Sequence, residues 1–195
     1  MFIERTDTKM DIILASGSPR RKELLRYIYD DFEVLTANVD ETPQSGTDAY
    51  ALPEYLSKIK CAAVAENHKN SLVIGADTVV ISGCRVYGKP RDESDAFDML
   101  KSLSGKTHDV VTGCTIALHG KYRTFSQKTQ VRFYALSDDE IRGYVKTGEP
   151  MDKAGAYGIQ GYGSLLIEGI DGDYFNVVGL PVARLKREIE RFLAQ

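Results

Sequence analysis

Cysteine and histidine are both scarce: three of each occur in 195 residues. Cys61, Cys84 and Cys114 contain no C-x-x-C pair and are odd in number, and the chain is long enough to hold a core without disulfide staples. They read as reduced, mostly buried thiols of a cytoplasmic protein. His68, His108 and His119 show no metal-ligand spacing such as H-x-x-x-H, which argues against a histidine-based metal centre. No apolar stretch approaches the ~20 residues of a membrane-spanning helix. Glu4, Arg5, Asp7 and Lys9 stand where a signal peptide would need an apolar run. Neither sign of charge is in excess, since 25 basic and 28 acidic residues leave a formal charge of −3. General attraction to nucleic acid or to an anionic membrane is therefore not expected, and any basic work must be local.

What is present fits one domain. Hydrophobic residues make up 43% of the chain, enough for a core and too many for disorder. Residues 1–10 read as a polar N-terminal extension, and residues 11–195 as a single α/β domain. Ile12 to Ala15 is a short apolar run of the kind that forms a buried strand. Ser16-Gly17-Ser18-Pro19 ends it, and Ser18 as N-cap with Pro19 at the first helical position opens a helix. Val34 to Val39 reads as a second strand, and residues 42–48 as a turn-rich connection. A helix follows from Pro53 to about Asn67, with Leu56, Ile59 and Ala63 at helical spacing. Leu72 to Ile81 is the strongest strand pattern, with Arg85 to Tyr87 as a hairpin partner. Glu93 to Leu103 is helical, closed by Gly105. Val110 to Leu118 and Arg123 to Tyr134 form a hairpin turned at Gly120-Lys121. Ser137 and Glu140 make a capping box for a helix that Gly148 ends. Residues 149–163 read as a loop too polar and Gly-rich to be core. Leu165 to Ile170 is a strand, Asp171-Gly172-Asp173 a turn, and Leu180-Pro181 opens a last amphipathic helix. Alternating strands and helices early, with hairpins in the middle, predict a mixed sheet with helices packed on it, in two lobes.

Five segments could carry chemistry. Ser16 to Arg21 joins a strand to a helix N-terminus, where free N–H groups, hydroxyls and guanidiniums suit a phosphate. An ordinary Ser-Pro helix start with solvated arginines fits the same residues equally well. Asp77 interrupts an apolar strand that resumes at Val79, so its carboxylate must be paired, metal-bound or protonated. Asp40-Glu41 is a weaker signal, because an acidic pair before a turn is usually just solvated. With Asp77 it could supply oxygen ligands to Mg²⁺ or Mn²⁺. Lys89 lies between Gly88 and Pro90, which fix its backbone, and Lys60 sits at the rim of an apolar helix face. Gln160, between flexible glycines, offers an amide donor and acceptor that can read a base edge.

Taken together, LASGSPRRKELL (Leu14 to Leu25), EYLSKIKCAA (Glu54 to Ala63), GADTVV (Gly75 to Val80) and GKPRD (Gly88 to Asp92) resemble the Maf family of nucleoside triphosphate pyrophosphatases. The segments Met99 to Gly113, Gly148 to Gly163 (GEPMDKAGAYGIQGYG) and Asn176 to Pro181 match it as well, in order and spacing. The resemblance covers about Ile12 to the C-terminus. It implies an α/β fold, a mixed twisted sheet with flanking helices in two lobes around a cleft, similar to inosine-triphosphate pyrophosphatases. It also implies hydrolysis of a nucleoside triphosphate to the monophosphate and pyrophosphate, aided by a divalent metal, Mg²⁺ or Mn²⁺.

Carried over by position, Ser16, Arg20 and Arg21 match the phosphate-binding motif. Glu41, Lys60, Asp77 and Lys89 match the catalytic and charge-stabilising positions, with Glu41 and Asp77 as the metal carboxylates. Arg21, Thr78 and Gln160 match the subgroup that acts on dTTP and UTP. The amide of Gln160 suits the N–H and carbonyl of uracil or thymine, whereas a carboxylate would suit guanine's donors. CTP and modified pyrimidine nucleotides stay open as substrates.

The resemblance further implies a homodimer and a house-cleaning role linked to cell-division control. Two other readings use the same residues: a nucleotide-binding regulator of septum formation without turnover, and a nucleotidyltransferase that transfers the nucleotidyl group to a second substrate rather than to water.

Overall fold

The computed structural model describes residues 10–36, 38–42 and 46–195. The polar extension read at residues 1–10 therefore lies outside the described residues, apart from Met10, as do residues 43–45 of the turn-rich connection. The strands are β1 (Ile12–Ala15), β2 (Glu33–Val34), β3 (Leu72–Ser82), β4 (Arg85–Tyr87), β5 (Thr107–Leu118), β6 (Lys121–Phe133) and β7 (Ile167–Asp171). The helices are α1 (Pro19–Leu25), α2 (Leu52–Ala65), α3 (Glu93–Leu103), α4 (Asp138–Val145), α5 (Tyr174–Val178) and α6 (Val182–Leu193). Short 3₁₀ turns cover Glu149–Asp152, Ala154–Ala156 and Gly161–Leu166. The strands form one mixed sheet in the order β2-β1-β3-β5-β6-β7, with β4 also paired to β3. β1 runs parallel to β2 and β3, and the remaining pairings are antiparallel.

Register decides where the sheet is incomplete. β5 pairs β3 from Val73 to Ile81 along one edge. On the other edge β1 pairs only Leu72 to Gly75, and β4 only Val80 to Ser82. Among the described residues, Ala76 to Val79 thus have no strand neighbour on that edge.

Side-chain alternation along β3 then builds the two lobes. Leu72, Ile74 and Ala76 pack with Leu24 and Leu25 of α1 and with Leu185, Ile189 and Phe192 of α6. Val80, on the same face, packs instead with Ala96, Met99, Leu100 and Leu103 of α3 and with Ile141 and Val145 of α4. The opposite face carries α2, whose Cys61 and Val64 meet Val73.

Helix α2 lies unusually close to the sheet, and two glycines permit it. A Cβ on Gly113 would fall 2.2 Å from the backbone of Pro53, and one on Gly75 would fall 2.6 Å from the Ser57 carbonyl. The small, buried Ser57 and Cys61 face this contact, and Ile59 and Ala63 are only half-buried. The inward face is therefore turned from the Leu56, Ile59, Ala63 stripe that spacing alone predicts. Burial also pushes the Cys61 and Cys114 thiols up to about 12, so both are inert, whereas Cys84 is exposed.

Several local expectations hold. Ser18 caps α1 with Pro19 at its first turn, α3 spans Glu93–Leu103 behind an Asp92 cap, and Ser137 and Glu140 form a reciprocal capping box. Others need correction. β2 covers Glu33 and Val34 rather than Val34 to Val39, pairing with Ile13 and Leu14 of β1, and Ala37 of the expected span lies outside the described residues. The β5–β6 turn is His119-Gly120, both at positive φ (50° and 75°), which suits the right-handed twist of a two-residue hairpin. Leu165 and Leu166 lie in a 3₁₀ turn before β7. Asp173 does not end a plain turn but caps α5, accepting from Phe175 N at 2.8 Å and Asn176 N at 3.3 Å.

The segment 149–163 is partly core: Pro150, Gly155, Ala156 and Tyr157 are buried. Tyr157 stacks edge-on against Phe133 and His108, and its hydroxyl lies 2.7 Å from His108 Nε2.

Two outcomes follow from these contacts. Gly113→Ala is expected to destabilise the protein by about 2 kcal/mol or more, read from its urea midpoint, because neither backbone can yield to a 2.2 Å approach. Burial pushes the pKa of His108 down from 6.5 to about 4. Between those values the unfolded chain binds the extra proton, so stability should fall with pH across that window, by on the order of 3 kcal/mol from this group. Melting temperatures from pH 7 to 4 should decline more steeply in the native protein than in His108→Gln.

Candidate active site

The gap on the edge of β3 opens into a cleft of about 1130 Å³. Its position follows from chain ends. β1 stops at Ala15, and the Ser16–Ser18 loop leads into α1. β4 stops at Tyr87 opposite Val80, and Gly88-Lys89 follows. Both loops therefore emerge beside Ala76 to Val79. Residues 149–161, projecting from the α3–α4 lobe, form the facing wall.

One wall is acidic with a cation inside it. Asp77 points to the α2 face of the sheet and is 9% exposed. The close seat of α2 on Gly75 and Gly113 brings Lys60 to it, with Nζ 2.6 Å from Asp77 Oδ1 and 3.0 Å from Glu41 Oε2. A single ammonium thus bridges two carboxylates, and the buried charge of Asp77 is paired rather than stranded.

The other face of β3 presents Thr78 and the guanidinium of Arg21. Arg21 donates from Nη1 to the Ala76 carbonyl (2.8 Å) and Ser16 Oγ (3.1 Å), from Nη2 to Thr78 Oγ1 (3.0 Å), and from Nε to the Gly179 carbonyl (3.0 Å). It supplies the donor that a neighbouring strand would have offered to Ala76. Burial pushes its pKa down and the negative charge of Asp77 pulls it back up. A directed chain continues inward. Thr112 donates to the Asn176 carbonyl at 3.1 Å, so Thr78 must donate to Thr112, 2.9 Å away. Arg21 and Thr78 are consequently framework as much as surface, and most of the Arg21 donors are already committed.

Along the cleft, Arg20 Nη1 meets Asp152 Oδ2 at 3.0 Å, and Lys153 Nζ meets Asp152 Oδ1 at 2.7 Å. Lys89 is exposed and has no hydrogen-bond or ion-pair partner among the described residues. Gln160 is exposed on the facing wall with Ile159 beside it, and Val80, Val110 and Tyr157 line the cleft between. Ser16, Arg20, Arg21, Glu41, Lys60, Asp77, Thr78, Lys89 and Gln160 line this one cleft, whereas Asp40, considered with Glu41, does not and instead accepts from Thr42 N at 2.9 Å.

The sequence pattern of the Maf-like protein family matches residues 11–192, a span that contains every one of these side chains. The chain belongs to the Maf family. A relative from Bacillus mycoides named dTTP/UTP pyrophosphatase is 50% identical over 181 residues, covering 93% of this chain and 95% of the relative. A relative of the same name from Bacillus cytotoxicus is 49% identical over 180 residues, covering 92% and 94%. A solved HAM1 protein from Coxiella burnetii superposes with a TM-score of 0.52 at 11% identity, covering 93% of this chain and 99% of that one. That likeness is one of fold alone, and it agrees with the mixed α/β architecture expected from the sequence.

The donor set of this Maf cleft suits a hard divalent cation. Glu41 and Asp77 converge on a single point of positive charge, and carboxylate oxygens are what Mg²⁺ and Mn²⁺ prefer. Among the described residues no group of three or more His, Cys, Asp or Glu surrounds a common point. Glu41 and Asp77 are the residues that could hold such an ion.

Three residues of the Maf cleft escaped sequence reasoning: Glu149, Asp152 and Lys153. Their signal was three charged residues spaced E-x-x-D-K within a stretch read as an unstructured glycine-rich loop.

Replacing Arg21 by Lys keeps the charge and loses the fork. One ammonium cannot reach Ser16, Ala76, Thr78 and Gly179 together. Arg21→Lys is expected to lower stability by about 2 kcal/mol in denaturant unfolding, since a buried carbonyl is left without its donor.

Proposed function

We propose that this protein hydrolyses dTTP and UTP to the nucleoside monophosphate and pyrophosphate. The observation that carries the reading is the convergence, in one cleft, of the Asp77–Lys60–Glu41 cluster with the Ser16–Arg20 loop and with Gln160 on the facing wall. The shared name of relatives at about half identity over nearly the whole chain supports the substrate class.

In this reading the triphosphate lies along the Ser16–Ser18 loop, whose position at the α1 N-terminus favours anions. Arg20 and Lys89 take phosphate charge, with Arg20 exchanging Asp152 for phosphate oxygens. Asp77 orients or deprotonates the water that attacks the α-phosphorus, and pyrophosphate leaves. Lys60 holds the Asp77 carboxylate in place and lends positive charge as the bond breaks. Glu41 and Asp77 would hold Mg²⁺ or Mn²⁺, which when bound neutralises charge on the phosphates. Gln160 pairs with the N–H and carbonyl of the pyrimidine ring. The chain's near-balanced charge supports a small-molecule partner rather than nucleic acid. A homodimer, as the family resemblance implies, and a cytoplasmic location, as the reading of the cysteines as reduced thiols suggests, complete the proposal.

Pyrophosphate release from UTP, dTTP and GTP, with Mg²⁺ and with Mn²⁺, tests this directly. Asp77→Asn should lower kcat by about 10²- to 10⁴-fold, with its melting temperature within a few degrees of the parent. Normal kcat in that variant would remove Asp77 from the chemistry. Gln160→Ala should lower the UTP-to-GTP ratio of kcat/KM, and an unchanged ratio would remove Gln160 as the base reader.

A further inference from the structure

Gln160 begins the 3₁₀ turn Gly161–Leu166 in extended backbone conformation (φ −97°, ψ 164°), yet its side chain makes no capping bond. Ser, Thr, Asp or Asn in that place commonly spends its side chain on the first free N–H groups of the turn. Here those groups are taken by another residue. Glu149 Oε2 accepts from Tyr162 N at 2.9 Å, and Glu149 Oε1 accepts from Gly163 N at 3.1 Å.

The same carboxylate holds the other end of the loop through Tyr144. The Tyr144 hydroxyl donates to Glu149 Oε1 at 2.9 Å and accepts from Gly158 N at 3.2 Å. Tyr144 itself is anchored in the core of α4 and is 5% exposed. The fit leaves no slack: a Cβ on Gly161 would fall 2.5 Å from Glu149 Oε2, and one on Gly163 would fall 2.2 Å from the Gly158 carbonyl.

We propose that Glu149 is a positioning residue for base selection: by capping the turn from a distance it fixes the Gly158–Gly163 loop and leaves the Gln160 amide unspent for the pyrimidine. This rests on Gln160 being the base reader. The chemistry requires a carboxylate. All three groups that meet the Glu149 carboxylate are donors, so both of its oxygens must accept, and an amide in its place would turn an N–H toward another N–H. Glu149 acts at one remove from the base, and its loss acts on which base is accepted.

The test compares Glu149→Gln, Gln160→Ala and the double variant for kcat/KM on UTP and on GTP, with hydrogen exchange at the Tyr162 and Gly163 amides. Glu149→Gln should lower the UTP-to-GTP ratio about 10-fold, mainly through KM for UTP, because a mispositioned hydrogen-bonding group forfeits discrimination. Exchange at both amides should quicken, and the double variant should show the ratio of Gln160→Ala alone, since the two residues act through one contact. Tyr144→Phe keeps the ring in the core and removes only the hydroxyl. It should move the ratio in the same direction, and it decides the matter if Glu149→Gln does not fold. An unmoved ratio in the folded Glu149 or Tyr144 variants, beside a lowered ratio in Gln160→Ala, overturns the proposal and leaves the base reading intact. An unmoved ratio in Gln160→Ala overturns both.

Discussion

The backbone of Ala76 to Val79 needs partners that the sheet does not provide on one edge. β1 ends too early and β4 begins too late, and much of the architecture follows from that interruption. An unpaired carbonyl in a partly buried place is costly unless something bonds it. Arg21 does so at Ala76, and its remaining donors draw in Ser16, Thr78 and Gly179. One side chain thereby ties the loop after β1, the middle of β3 and the end of α5 together. The gap that would weaken an ordinary sheet becomes an open-sided cleft.

The same interruption explains how opposite charges come to lie close together. Successive residues of a strand face opposite sides, so Asp77 and Thr78 present a carboxylate to one face and a hydroxyl to the other. At an uninterrupted edge a paired strand would lie beside them. At the gap both belong to one cleft. Lys60 reaches Asp77 because Gly75 and Gly113 let α2 descend onto the sheet, and Glu41 reaches the same ammonium from the loop after β2. The overall charge of −3 conceals this pairing, since cations and carboxylates are gathered rather than scattered.

Elements written in local chemistry are legible in the sequence. The Ser18-Pro19 start, the Ser137/Glu140 capping box and the apolar run of β3 each rest on interactions spanning four residues or fewer, or on a simple period. The candidate site residues are legible too, because Asp77 breaks an apolar strand and Arg20-Arg21 opens a helix. Elements whose form depends on a distant partner are not. The inward face of α2 is turned because Gly75 and Gly113 sit opposite it. Residues 149–163 look like a polar loop, yet Tyr157 is buried against Phe133 and His108 from strands far away in sequence.

By itself, then, the sequence determined most element types and the kind of chemistry its residues can perform, since these follow from side-chain identity and local spacing, while most members of the cleft were read from the family resemblance and Glu149, Asp152 and Lys153 were missed. Only the tertiary structure decided what each residue is free to do. Arg21, read as a phosphate ligand, has most of its donors bound to the framework. Lys60, unremarkable on a helix surface, bridges two carboxylates. Glu149, invisible in a glycine-rich run, organises the loop that bears Gln160. The physical reason is common to all three. A charged group's role is set by the partners that surround it in space, and those partners come largely from segments distant in sequence.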